Sequence, residues 1–312
     1  LSSAPRIRLG LDAEARGDIK TAEQWLLDAA RVDRQYEPAW TLANFYFRQP
    51  RQDDFWKWMR TALAVSYGDR RPAFDLCWRT TQDPKEILAQ AIPERREVIA
   101  AYLTYLIQEK RLDAAAPVAS KLANWHRPGD LPLLYAASDA FLNGNQGNAA
   151  SSLWTALGHP APSGIFSPDF GNPRIGHGFD WRLIESSGVT HLAEDNPPAH
   201  RIIFNGQQPE SCELLLQFLA LDSGRQYTLQ WEARTSGFPA QTGLEWRIGS
   251  ERGQLAASDE WKSGEFTFTA SADWPTLSLT YQRPLGEVRA EGYLEIRHVR
   301  IHARIHMVER LE

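Results

Sequence analysis

The chain reads as an α+β protein in two parts, an array of paired helices followed by an antiparallel β-sandwich. Three observations predict this. Up to residue 157 apolar residues recur at helical spacing with few prolines inside the runs. From residue 199 onward they alternate, the period of half-buried strands, in short segments separated by turn clusters such as Asp222-Ser223-Gly224. Between the two lies Gly158 to Trp181, dense in Gly and Pro, which neither a helix nor a central strand can cross.

Composition fits two ordinary cores. With 312 residues, 43% apolar and 11% aromatic, general disorder is excluded. The connecting stretch carries Phe166, Phe170, Phe179 and Trp181, so it is expected to be a packed hinge rather than a solvated tether. The expected divisions are a helical domain over 1–157, the hinge over 158–178 and a strand domain over 179–312. Twelve tryptophans are many for this length, and those not needed for a core are available to a ligand.

Charge narrows the partners. The first 160 residues hold 20 Lys and Arg against 19 Asp and Glu, which leaves 14 against 20 for the remainder. That acidic half would repel a phosphate backbone, so nucleic acid is not expected. Cys77 and Cys212 fall in different parts and give no disulfide framework. No apolar run reaches the about 20 residues that span a bilayer. The first residues, LSSAPRIR, lack a methionine, so a mature or trimmed form is expected, from which an upstream signal peptide or anchoring helix could have been removed; the compartment stays open between a periplasmic or other extracytoplasmic location and the cytoplasm.

The helical half is organised in pairs. Residues 9–33 place Leu9-Gly10 ahead of a Gly17-Asp18 turn, then the small or apolar Ala22, Leu26 and Ala29, with Tyr36 and Pro38 closing the unit. Trp40, Ala43 and Phe47 open a second pair that ends with Ala62-Leu63. Looser pairs follow over Glu94–Ala123 and Leu131–Leu157, the latter turning at Asn143–Gly147. Residues 68–93 fit poorly, because Pro72, Pro84 and Pro93 cut them into short helices at most. The first unit resembles the tetratricopeptide repeat. That resemblance implies stacked pairs with a concave groove for a protein partner, or alternatively a rigid spacer or oligomer contact.

The strand half predicts segments at 199–205, 211–222, 226–235, 243–250, 264–270, 276–283 and 292–303, an antiparallel sandwich of jelly-roll type. Several stretches carry a resemblance: GFDW at Gly178–Trp181, IIFNG at Ile202–Gly206, LLLQFLALDSGRQYTLQWEAR, GLEWRIG, Trp261 before GEFTF, and GYLEIRHVRI. Together, with Gln217, Gly224 and Tyr227 in order, they resemble galactose-binding-like carbohydrate-binding modules. The combination with helical repeats is similar to bacterial proteins of exopolysaccharide production. It implies a possible polysaccharide ligand.

Strand parity names the candidate residues. Tyr227, Leu229, Trp231 and Ala233 share one face, and Gln230, Glu232 and Arg234 the other. Leu244, Trp246 and Ile248 point inward while Glu245 and Arg247 point out. If these strands are neighbours, the five polar residues line one face with planar groups suited to sugar hydroxyls, and Tyr281 and Arg283 end a later strand of the same set. Trp181 and Trp261 are the candidates for an aromatic rim. In the last strand Leu294 and Ile296 switch register with Val299 and Ile301, so a β-bulge is expected at Arg297-His298. The stripe His298, Arg300, His302, Arg304, His306 reads as a solvated basic face rather than a metal site.

No phosphate loop, dinucleotide fingerprint, HExxH or GxSxG occurs, and no cofactor is expected. A hydrolase needs two carboxylates across a cleft. Glu232 and Glu245 are the pair to consider, but Arg234 and Arg247 beside them would keep both ionised. The expected function is non-enzymatic binding and scaffolding. The alternatives are a scaffold for proteins alone, or a glycosidase.

Overall fold

A computed structural model describes residues 2–304. Among them ten α-helices precede ten β-strands, and the strands form two antiparallel five-stranded sheets. The α+β class with a C-terminal sandwich is therefore the observed architecture. Contacts divide the chain into Leu1–Ala137 and Ser138–Glu312. No described helix is long and apolar enough to cross a membrane.

The first unit is built from α1 (Ala4–Ala15), α2 (Ile19–Val32), α3 (Tyr36–Arg48), α4 (Gln52–Val65), α5 (Arg71–Thr80), α6 (Pro84–Gln90), α7 (Arg96–Gln108) and α8 (Leu112–Ala123). Gly17 ends α1 at φ 82°, and the Asp18 carboxylate then caps α2 by accepting from Thr21 N at 3.1 Å. The Leu-Gly pair has a steric purpose. A Cβ on Gly10 would stand 2.7 Å from Leu26 Cδ2, so only glycine lets α1 and α2 approach.

Residues 68–93 form two short helices, α5 and α6, as the prolines predict. Pro72 and Pro84 sit in the first turns of α5 and α6, where no intrahelical N–H is needed, so they start helices instead of ending them. Packing of α4 on α6, α5 on α7 and α6 on α8 continues the alternation through this segment. Phe74, Cys77, Tyr102 and Leu106 are buried there.

The second unit begins inside α9 (Leu131–Asn143) and continues through α10 (Gly147–Ala156) into the strands. Asp139 accepts from Gly178 N at 2.8 Å and pairs with His177 and Arg182. Trp154 meets Phe166 and Phe179 edge-on. The Gly/Pro stretch is thus packed, as its aromatic content suggests, and its packing is with the second unit. Gln217 fixes it further by pairing both ways with the Phe166 backbone, at 3.1 and 2.9 Å.

Sheet A has the order β1 (Arg182–Leu183), β4 (Ser211–Phe218), β9 (Thr276–Gln282), β6 (Gln241–Ile248), β7 (Glu251–Ala256). Sheet B has β2 (Val189–Asp195), β3 (Pro198–Asn205), β10 (Glu291–Ala303), β5 (Gln226–Ser236), β8 (Lys262–Thr269). Between them lies a core that includes Trp181, Phe204, Leu229, Trp231, Trp246, Leu279, Tyr281, Leu294 and Ile296. Gly264 of β8 makes room for Trp231, whose ring would meet a Cβ at 2.5 Å.

Candidate functional site

Alternation along the strands decides which side chains can meet a ligand. On the outer face of sheet B the central strand β10 carries Glu295, which is in register with Arg201 of β3 on one side and Arg234 of β5 on the other. Glu295 is 1% exposed, and its carboxylate accepts from Arg201 Nε at 2.7 Å and from Arg234. Burial alone would raise this carboxyl, but the hydrogen bonds from Arg234 and Arg201 outweigh it and hold the group below the usual Glu range. Arg201 also reaches Glu194 at 3.1 Å and lies over Tyr293 at 5.0 Å.

One row along, Arg297 donates to Glu232 at 2.8 Å. Trp261, immediately before β8, lies under the guanidiniums of Arg297 at 4.1 Å and Arg234 at 5.1 Å. The half-buried indole therefore belongs to this outer face, beside planar polar groups.

The bulge expected at Arg297-His298 is present. Register with β5 shifts between Arg297 and Arg300, His298 takes φ 53°, and Val299 N donates to Pro168 O at 2.9 Å. His298 turns out to Asp169. Beyond the bulge, Arg300 faces Gln230, which faces Glu265 of β8. These residues line a groove of about 480 Å³ with Glu232, Ser263 and His298. Gln230 Nε2 donates to Glu265 at 2.8 Å, whereas Arg300 is exposed and engages no other described side chain. His302 and Arg304 are also exposed, and His306 lies outside the described residues.

Four of the nine sequence candidates, Gln230, Glu232, Arg234 and Trp261, come together here. The other five do not. Glu245 and Arg247 sit on the outer face of sheet A, because the chain changes sheets at Gly237–Ala240, so β5 and β6 are consecutive without being neighbours. Their side chains look away from those of β5. Glu245 accepts from Arg247 at 2.5 Å and Arg252 at 2.9 Å. Glu232 and Glu245 consequently cannot flank one cleft.

Tyr281 shares the inward parity of Leu277 and Leu279 and is 1% exposed, with its Oη accepting from Ala290 N at 3.1 Å. Trp181 is 2% exposed, stacked on Phe170 at 5.2 Å and donating to Ser167 O at 3.2 Å. It plugs the open side of the sandwich and is no rim residue. Arg283, past the end of β9, binds Glu210 at 2.9 Å and Glu287 O at 2.8 Å and so pins a loop.

Arg201, Tyr293, Glu295, Arg297, Glu265 and Arg300 complete the face and were not among the candidates. Their outward parity opposite Leu294 and Ile296 was available in the sequence. What was missing was the strand order that sets β10 between β3 and β5.

No family model matches the chain, and no curated protein matches it. Several solved structures resembling the C-terminal sandwich are carbohydrate-binding modules, and another is the enzymatically active domain of bacteriophage CBA120 tailspike protein 4. One, described as "CBM4 structure and function", is 14% identical, covers 45% of this chain and 99% of its own, at a TM-score of 0.34. The CBM22-1 xylan-binding domain of Paenibacillus barcinonensis Xyn10C is 9% identical over 46% and 97%, at 0.31. TmCBM61, solved with β-1,4-galactotriose, is 14% identical over 40% and 88%, at 0.29. At these values the likeness carries no argument about function, which rests on the geometry of the sheet B face.

Proposed function

We propose that the sandwich binds a glycan on the outer face of sheet B, without catalysis, and that the helical pairs of the first unit offer a groove to a protein segment. In this reading the protein holds a polysaccharide and a protein partner together during envelope or exopolysaccharide assembly. The observation that carries it is a groove of planar polar side chains, Gln230, Glu232, Glu265 and Arg300, with Trp261 on the same sheet face, linked to it through Arg297, which donates to Glu232. Vicinal sugar hydroxyls replace water efficiently with bidentate amide, carboxylate and guanidinium partners. The apolar side of a pyranose gains from an adjoining indole.

The test is affinity electrophoresis of the full chain through neutral and acidic polysaccharides, with reducing-sugar release followed on the same panel. At least one polysaccharide should retard the protein, and Trp261→Ala or Gln230→Ala should weaken that retardation about tenfold. No retardation by any of them favours a scaffold for proteins alone. Sugar release would make it a hydrolase.

A further inference from the structure

The open side of the sandwich holds a separate cavity of about 600 Å³, where linker residues 167–174 close over the edge strand β2. Its inner wall is aromatic: Phe170 stacks on Trp181 at 5.2 Å and on His200 at 5.3 Å. His191 stacks on His200 in turn, at 5.2 Å. A volume in this range is ordinary for small-molecule sites.

The two histidines have a fixed proton arrangement. His191 Nε2 lies 3.2 Å from the carbonyl of Ile184, which can only accept, so the proton of His191 is on Nε2. Burial pushes both imidazoles below the usual His range, His200 to about 3, with the Arg174 charge and that of His191 once protonated adding to the effect, and both are neutral at pH 7. His191 Nδ1 therefore accepts across the 3.0 Å contact and His200 Nε2 donates. That leaves His200 Nδ1 as an acceptor with no donor among the described residues, on a side chain only 5% exposed that lines the cavity. That acceptor opens on the cavity, where a ligand hydroxyl can donate to it.

The mouth carries further free groups. Arg174, Asn172 and Asp195 line it and engage no described partner through their side chains. Asp180 accepts from Ile175 N at 2.6 Å and Gly176 N at 3.1 Å, and Glu194 pairs with Arg201. Three carboxylates against Arg174 disfavour an anionic ligand.

We propose that this cavity is a second ligand site, taking one neutral sugar residue whose hydroxyl donates to His200 Nδ1 while Arg174, Asn172 and Asp195 bind its neighbouring hydroxyls. It is independent of the sheet B groove. The test is titration of the full chain with D-glucose, D-galactose and D-mannose by calorimetry or saturation-transfer NMR, with D-glucuronate as the acidic control. At least one neutral sugar should bind, glucuronate about tenfold more weakly or not at all. Arg174→Ala and Asp195→Ala, both at exposed positions, should each weaken it by about fivefold to tenfold, and Trp261→Ala should leave it unchanged. The proposal is overturned if none of the three sugars binds, if glucuronate is preferred, or if Trp261→Ala abolishes binding that both mouth variants retain.

Discussion

The outer faces of the two sheets carry the same residue types to different ends. On sheet B, Glu295 stands on the central strand β10 and is gripped from both neighbouring strands, by Arg201 and Arg234. On sheet A, Glu245 stands on β6 next to the edge, and its arginines are Arg247 of its own strand and Arg252 of the edge strand β7. The Glu295 side chain is 2% exposed and that of Glu245 15%, with Arg252 at 53%. Rank in the strand order, more than residue type, decides whether a charge cluster is structural or a solvated pair. The middle of sheet A is correspondingly plain, with β9 presenting Thr276, Ser278 and Thr280 outward.

The largest expected effect tests that contrast. Glu295→Ala leaves two guanidiniums facing an apolar gap, and because both keep about a third of their exposure the loss should be about 2–3 kcal/mol, below the full cost of a broken buried pair. Glu245→Ala should cost less than about 1 kcal/mol, as for exposed pairs. Urea denaturation of the two variants reads the difference, and equal losses would break the comparison.

Histidines sharpen it. His200 and His191 face inward on sheet B, and burial holds them neutral at pH 7. The folded pKa of His200, near 3, lies below the unfolded value of about 6.5. Above about pH 7 both states are unprotonated and His200 adds no slope. As the pH falls below 6.5 the unfolded chain takes up the proton first, so stability drops, by about 2 kcal/mol at pH 5, and continues to drop toward pH 3. His191, also lowered, adds in the same direction. His200→Phe should remove most of that slope between pH 7 and pH 5. An unchanged slope in His200→Phe would mean that other groups set the acid response.

Much of this fold was legible in the sequence, for identifiable reasons. The Leu9-Gly10 and Gly17-Asp18 signals are local steric and capping requirements, and the bulge at His298 follows from a change of parity within one strand; both are intrinsic to short stretches. Three strands were not foreseen. β1 has two residues, and β2 and β7 lie at sheet edges, where polar residues such as His191, Glu194, Arg252 and Gln254 break the apolar alternation. The candidate site was half legible. Parity placed Gln230, Glu232 and Arg234 outward, but whether β6 lies beside β5 is a matter of topology, and no local pattern says that the chain changes sheets at Gly237. Trp181 and Tyr281 belong to the core instead of a rim. Tyr281 has the inward parity of Leu277 and Leu279, and Trp181, just before β1, packs into the core between the sheets.

The smallest expected effect separates recognition from support within the sheet B face. Arg234 is tied to Glu295 and to Trp261, so Arg234→Ala should weaken glycan binding and also lower stability by about 1–2 kcal/mol, because it strips a partner from a buried carboxylate. Arg300 has no such tie. Its exposed guanidinium borders the groove across Gln230 from Glu265, so nothing in the fold depends on it. Arg300→Ala should therefore leave the urea midpoint within about 0.5 kcal/mol of the parent while reducing polysaccharide retardation about threefold to fivefold. If Arg300→Ala binds as the parent does while Arg234→Ala loses both stability and binding, the face is a structural ion network and the groove beside it is not where sugar is held.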